Sequence, residues 1–194
     1  MAEWRGLGGA KFVIATTGMP GSGKGELSRL FRGLGYPVYV CGDVVRREAR
    51  ERGLPDDSST LGGLMFALRE EGGRAAIVKR LAADLESDPS RVVVVEGIRN
   101  LEEVEELRRR FEVIVVAVHS PPRARYERLL RRGRGDDPKT LEEFRERDGR
   151  ELRVGVGEVI ALADLLVRNE GTLADLEGEF ERLSERIGGW IGSG

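Results

Sequence analysis

One cysteine, Cys41, is all the thiol chemistry this 194-residue chain has, which excludes an internal disulfide and a cysteine-rich zinc site. No stretch approaches the roughly 20 apolar residues that would span a bilayer. Met1–Ala10 carries Arg5 but no apolar run of the kind a secretory signal needs, so a cytoplasmic protein with no membrane partner is expected. Glutamine is missing, asparagine occurs only at Asn100 and Asn169, and only four basic residues (Lys11, Lys24, Lys79 and Lys139) are lysine. Few thermolabile amides among many opposite charges fit a hot habitat, although a GC-rich genome selects much the same residues. Either way, each lysine is worth asking about. The formal net charge is only −2, which argues against nucleic-acid binding by the surface as a whole; any basic site has to be local. Oligomeric state is not legible in the sequence.

What is present describes an ordinary globular chain, with 40% hydrophobic and 34% charged residues and a length that suits one domain over 1–194. Short β-rich runs alternate with helical patterns, without repeats or long linkers, and that alternation predicts an α/β fold on a parallel sheet. Strands are predicted at Phe12–Thr17, Pro37–Val40, Arg91–Val95, Val113–Val118 and Leu165–Arg168. Val92–Val95 is four valines in a row, as expected of a strand buried on both faces. Helices are predicted at Gly25–Arg32, Asp43–Arg52, Thr60–Leu85 with a break at Gly72–Gly73, Leu101–Arg110, Arg123–Arg131, Leu141–Arg153 and Leu173–Ile187. The glycine-rich end, Ile187–Gly194, is expected to fray. His119 and Cys41 read as structural, the latter as a small apolar filler.

The strongest signal is Gly18-Met19-Pro20-Gly21-Ser22-Gly23-Lys24-Gly25, directly after a strand and opening a helix. Two glycines with four residues between them, followed by lysine, have the spacing of a phosphate-binding P-loop. Glycines let the backbone curl so that several N–H groups face a polyphosphate, and the helix N-terminus adds its positive dipole end. Lys24 supplies a mobile charge that can follow the phosphoryl group in transfer. Gly25 stands where Ser or Thr commonly helps to hold Mg²⁺. Glu26, next along, has two readings: a carboxylate on the metal's water shell, or an acidic residue placed for the helix dipole.

The run resembles adenylate kinases and their relatives, which also carry glycine directly after the lysine. The resemblance extends from Phe12 to about Leu183 and is closest to an archaeal group of adenylate-kinase-related proteins. It implies ATP and Mg²⁺ as cofactors and a small, nucleotide-like acceptor. Gly42-Asp43-x-x-Arg46 looks like the Gly-Asp-x-x-Arg element of nucleoside monophosphate kinases, where the arginine grips the acceptor's phosphate. Asp43 is then a substrate contact and, for a hydroxyl acceptor, a general base; as plain structure it is a helix N-cap. Glu96-Gly97-Ile98-Arg99 resembles the Asp-Gly-x-x-Arg segment, shortened by one residue. Glu96 would organise Mg²⁺ through water, and Arg99 would face the acceptor phosphate or the group in flight; its structural alternative is a surface ion pair with Glu102 or Glu103. Arg69 is a weaker acceptor-side candidate, with surface solvation as its alternative.

Arg128-Leu129-Leu130-Arg131-Arg132-Gly133-Arg134-Gly135-Asp136-Asp137-Pro138 resembles a short lid in which arginines close over the phosphoryl group while the aspartates hold their geometry. Arg132 and Arg134 are the lid candidates. Two residues apart on the following helix, Arg145 and Arg147 cannot both face the site; Arg147 is preferred because Arg147-Asp148-x-Arg150-Glu151 resembles the relatives. Asn169-Glu170-Gly171-Thr172 resembles the adenine-side turn of dephospho-CoA kinases, so Asn169 and Gly171 would border the purine; the alternative is a turn followed by an N-cap at Thr172. The expected architecture is a three-layer P-loop kinase fold: a five-stranded parallel sheet flanked by helices, a helical acceptor segment at about 42–90 and a lid at about 132–139. The expected activity is transfer of the γ-phosphoryl of Mg-ATP to a nucleoside monophosphate. Two alternatives stay open: a dephospho-CoA kinase acting on a ribose hydroxyl, and an adenylate-kinase-like ATPase or RNA-assembly factor using Arg108-Arg109-Arg110 and Arg131–Arg134.

Overall fold

The computed structural model of the protein describes residues 11–191. The expectations placed on Met1–Ala10 and on Gly192–Gly194 lie outside them. Five strands form one parallel sheet in the order β2-β3-β1-β4-β5. They are β1 (Phe12–Thr17), β2 (Val38–Val40), β3 (Val92–Ile98), β4 (Glu112–His119) and β5 (Leu165–Arg168). All six residues of β1 are buried, because neighbours β3 and β4 flank it and helices cover both faces.

The two faces separate by strand alternation. Val13, Ala15, Val93, Val95, Val113 and Val115 pack on one face against α2 (Cys41–Glu51), α3 (Ser58–Gly72), α4 (Ala76–Ser87), α5 (Leu101–Arg108) and α8 (Val156–Ala161). Ile14, Val94, Ile114, Val116 and Val167 face α1 (Lys24–Gly33) and α9 (Leu173–Ile191), where Phe31 and Phe180 meet edge to face at 4.9 Å. The result is a three-layer α/β fold. The chain steps outward from β1 to β2, returns to β3, then crosses to β4 and β5. That reversal puts a crevice at the carboxyl ends of β1 and β3, where open α/β sheets hold their ligands.

Most predicted elements are present, and the differences have local causes. β3 runs on past Val95 to Ile98 through a bulge: β1 pairs Thr16 with Glu96 and Thr17 with Ile98, which leaves Gly97 over at φ 94°. Only glycine takes that conformation freely, and the bulge re-aims the end of the strand. α2 begins at Cys41, so Asp43 lies in its first turn; the cap position is Val40, with no side-chain cap. The N-cap reading of Asp43 is thereby corrected. The break at Gly72–Gly73 is present, with α3 ending at Gly72 and Gly73 at φ 81°. A short helix missing from the sequence reading, α8, follows Gly155 at φ 115°. α6 (Pro122–Arg132) and α7 (Leu141–Val154) complete the set. Of the end expected to fray, the described part is helical: α9 continues through Gly188 and Gly189 to Ile191, and Ile187 is buried with the cluster between α9 and the sheet.

Candidate functional site

Gly18, Gly21 and Gly23 all have positive φ and curl the chain between β1 and α1 into a cradle. Gly23 is the tightest position. A Cβ there would lie 2.1 Å from Asn169 Nδ2, which donates to Ser22 O at 2.9 Å. Lys24 folds back over this loop, and its Nζ donates to Gly18 O at 2.6 Å and to Met19 O at 3.1 Å. Burial lowers the Lys24 ammonium from its ordinary value to about 8, with Glu96 and Glu151 acting in the opposite direction. Lys24 is therefore a cation held ready on exchangeable carbonyl bonds.

The cradle opens into a cleft of about 840 Å³ lined from the P-loop, the start of α2, the β3 bulge, α6, the following loop and α7. Nine arginines and Lys24 face five carboxylates across it, so the lining is strongly basic although the chain is slightly acidic. Such a cleft concentrates anions.

Of the residues singled out in the sequence, Gly18, Pro20, Gly21, Gly23, Lys24, Gly25, Glu26, Asp43, Arg46, Glu96, Arg99, Arg132, Arg134 and Arg147 line this cleft. Arg46 donates to Asp43 at 2.8 Å, and Arg99 pairs with Glu151 at 2.8 Å. Arg147 bonds the Asp136 carbonyl at 2.7 Å, the Asp136 carboxylate at 3.1 Å and Asp137 at 3.2 Å. Asp137 is buried, which by itself would raise its pKa; bonds from Arg132 and from the Arg134 amide overcome this and hold it below the usual carboxylate range. Burial likewise works against the Arg99 charge, and Glu151 and Glu103 overcome it, so that its pKa is raised. Arg145 is exposed, and Arg147 is the arginine α7 turns inward.

Other placements differ from the expectation. Met19 offers its carbonyl to Lys24, and Ser22 is buried with no partner for its hydroxyl; neither side chain lines the cleft. Arg69 is corrected on both of its readings. It is buried, bonds Glu103 at 2.5 Å and faces neither cavity, so it is neither a cleft residue nor solvated surface. Arg99 pairs through its side chain with Glu151, while only its amide reaches Glu103, so the surface ion pair is absent. Asn169 and Gly171 do not line the cleft. Asn169 is a buried brace under the P-loop, and Thr172 and Asp175 bond reciprocally at the start of α9, as the capping alternative foresaw. Cys41 is buried with its thiol pushed up by burial, and exposed His119 ends β4.

Sequence reasoning gives no role to Arg128 and Glu151, although its motifs contain them, and does not single out the bracing arginine Arg125. The signal was spacing: Arg147 and Glu151 are one helical turn apart on α7, and Arg125, Arg128 and Arg132 recur at three and four on α6. A second cavity of about 90 Å³ adjoins the cleft; Gly42, Arg46, Arg99, Asp136, Arg147 and Glu151 line both. Arg150, which donates to Ser58 Oγ at 2.9 Å, closes its far side together with Leu61 and Met65.

Which residues could hold a metal follows from the carboxylates left unpaired. Glu26 bonds Arg29 at 2.9 Å. The Glu96 carboxylate has no hydrogen bond or ion pair among the described residues and lies within electrostatic reach of Lys24, so it is the better fit for a hydrated Mg²⁺. The cradle fits a polyphosphate: it is a glycine-rich turn at positive φ that opens a helix, with the Lys24 ammonium held on it.

A family model described as an AAA domain matches residues 17–145. The UPF0200 protein of Hyperthermus butylicus is 47% identical over 182 residues, covering 94% of this chain and 98% of that one. The UPF0200 protein of Pyrococcus abyssi is 46% identical over 180 residues, with 90% and 96% covered. Among solved structures, TT1252 from Thermus thermophilus superposes with a TM-score of 0.61 at 21% identity, covering 92% of this chain and 98% of that one. Shikimate kinase from Bacteroides thetaiotaomicron gives 0.60 at 20% identity, with 91% and 98% covered. Identities this low speak for a shared fold and leave the acceptor open. Among the described residues, no helix is long and apolar enough to cross a membrane.

Proposed function

The chain belongs to the UPF0200 family and has a P-loop kinase-like fold, and from that premise we propose that it transfers the γ-phosphoryl group of Mg-ATP to a small anionic acceptor, most simply a nucleoside monophosphate. The observation that carries this reading is the position of Lys24. Its ammonium is held on a curled glycine loop that lines a basic cleft, within electrostatic reach of Arg99 and Arg147. Phosphoryl transfer spreads negative charge over the equatorial oxygens, and catalysis consists largely of placing cations around them. The amides of Gly18–Lys24 would cradle the donor phosphates, and Lys24 would leave Gly18 O and Met19 O to follow the group in flight. Arg132, Arg134 and Arg147 would close on it from the lid side at about 132–139, excluding the water that turns transfer into hydrolysis. Mg²⁺, held through water by Glu96, would neutralise charge on the donor phosphates.

The acceptor's phosphate would sit in the adjoining small cavity, bordered by the acceptor segment at about 42–90, with the rest of the acceptor in the larger cleft. Arg46, Arg99, Arg147 and Arg150 converge there, which suits an acceptor that is already an oxyanion. Such an acceptor needs no base. Asp43, mostly exposed and bonded to Arg46, supports the alternative of a hydroxyl acceptor such as dephospho-CoA. The RNA-factor alternative has less support: Arg108, Arg109 and Arg110 are each engaged by Asp164, Glu106 or Glu86, and Arg132 is held by Asp137. The test is ATP consumption measured across nucleoside monophosphates and dephospho-CoA, with products identified by mass. A phosphorylated monophosphate supports the first reading. ATP loss with no phosphorylated acceptor would leave an ATPase.

A further inference from the structure

Arg125 stands outside the cleft lining, yet it is among the most constrained side chains of the molecule. It is 4% exposed. Its guanidinium makes a bidentate pair with Asp148 at 2.8 and 2.6 Å, and the same Nη1 donates to Pro20 O at 3.1 Å. The guanidinium carbon also lies 4.9 Å from the centroid of the Phe144 ring. Its backbone takes part as well: a Cβ on Gly21 would come within 2.7 Å of Arg125 O, so the loop rests directly on α6. One residue thus touches the tip of the P-loop and two positions of α7. Asp148 is next to Arg147, and one turn of α7 takes Phe144 to Asp148 and Arg147 to Glu151, the two residues that α7 contributes to the cleft.

We infer that Arg125 is a positioning residue that locks the P-loop to α7, so that filling the cradle with phosphate sets Arg147 and Glu151 in place across the cleft. The inference rests on the phosphotransfer reading of the site. A buried guanidinium fork has two fixed directions and holds its partners in one arrangement. Lysine, a point charge, reaches Asp148 or Pro20 O but cannot span both with a bidentate grip. An arginine that merely filled space between α6 and α7 would have no need of the Pro20 carbonyl.

The experiment compares the full chain with Arg125→Lys and with Asp148→Asn. Amide hydrogen exchange is followed with and without Mg²⁺ and a non-hydrolysable ATP analogue. In the unmodified protein the analogue slows exchange in α7 by about tenfold or more; in each variant that slowing falls below about threefold while protection of the P-loop persists. ATP turnover with the acceptor drops about 30- to 100-fold in kcat, with KM for ATP moving less than about threefold, because binding survives and placement does not. The double variant is no worse than the poorer single one, as expected when both changes break the same link. Full α7 protection in the variants, or additive losses in the double variant, overturns the inference. Should Arg125→Lys fail to fold, Asp148→Asn, at a partly exposed position, decides alone. An unmodified protein that binds nucleotide but protects only its P-loop defeats this inference and spares the proposed function; one that binds no nucleotide defeats both.

Discussion

The two sides of the cleft are built differently. On the donor side, the P-loop is held by backbone and by buried braces: Asn169 under Ser22 O, Arg125 under Pro20 O, and glycines that leave no room for a Cβ. On the acceptor and lid side, the structure is arginine on carboxylate: Arg46 on Asp43, Arg99 on Glu151, Arg147 on Asp136 and Asp137. A brace of the first kind cannot be exchanged for a ligand without breaking the loop. A pair of the second kind can, because a phosphate oxygen offers the guanidinium what the carboxylate did. One side is a fixed seat and the other a set of hands parked until something arrives.

That contrast can be broken or sharpened by substitution. Lys24 is the part of the fixed seat that has to move, and Lys24→Ala should reduce phosphoryl transfer by about 10³-fold or more. Its thermal midpoint should stay near that of the unmodified protein, because only two carbonyl bonds are lost; turnover assays beside thermal melts test both statements. Next, Arg147→Ala removes one of the hands and should lower kcat about 10²-fold while leaving ATP binding largely intact, as calorimetry and steady-state kinetics would show. Gly23→Ala attacks the seat itself. With φ at 106° and Asn169 Nδ2 in the way, it should destabilise the fold by about 1–3 kcal/mol and weaken nucleotide binding together, a joint loss readable in denaturant titrations and calorimetry.

A smaller effect comes from pH. Lys24 meets phosphate as the ammonium, and burial has brought its pKa down to about 8 in the free protein. As pH rises through that value the free protein loses the proton, and binding has to take it back up. Mg-ATP affinity should therefore be flat below about pH 7 and fall about fivefold between roughly pH 8 and 9, with proton uptake in calorimetry at the alkaline end. Smallest of all, Asp43→Asn should change transfer to a phosphate acceptor by less than about threefold, whereas a hydroxyl acceptor would lose about 10²-fold or more. The ratio measured on the two acceptors separates the readings.

How much of this was legible depended on which forces held each part. The strands were visible because apolar runs such as Val92–Val95 have few other places to go, and the P-loop because its chemistry demands glycines and a lysine at fixed intervals. Gly97 shows the limit: the sequence displays a motif one residue short, and only pairing against β1 turns that into a bulge. The turn at Asn169 resembles a purine neighbour, and what the sequence does not display is the contact 147 positions away that makes its side chain a brace. Arg69 and Arg99 illustrate the same difficulty. Both are arginines near carboxylates in the sequence, and burial rather than spacing decided which faces the cleft. Glu151 and Arg125 were within reach of helical spacing alone, had it been applied to polar residues as strictly as to apolar ones.

The account depends most on the loop between β1 and α1 receiving a triphosphate. A crystal structure with Mg²⁺ and a non-hydrolysable ATP analogue tests this directly. The expected result places the β- and γ-phosphates inside Gly18–Lys24, with Lys24 Nζ swung off Gly18 O and Met19 O onto phosphate oxygen. Nucleotide bound elsewhere, with Nζ still on those two carbonyls, would contradict it.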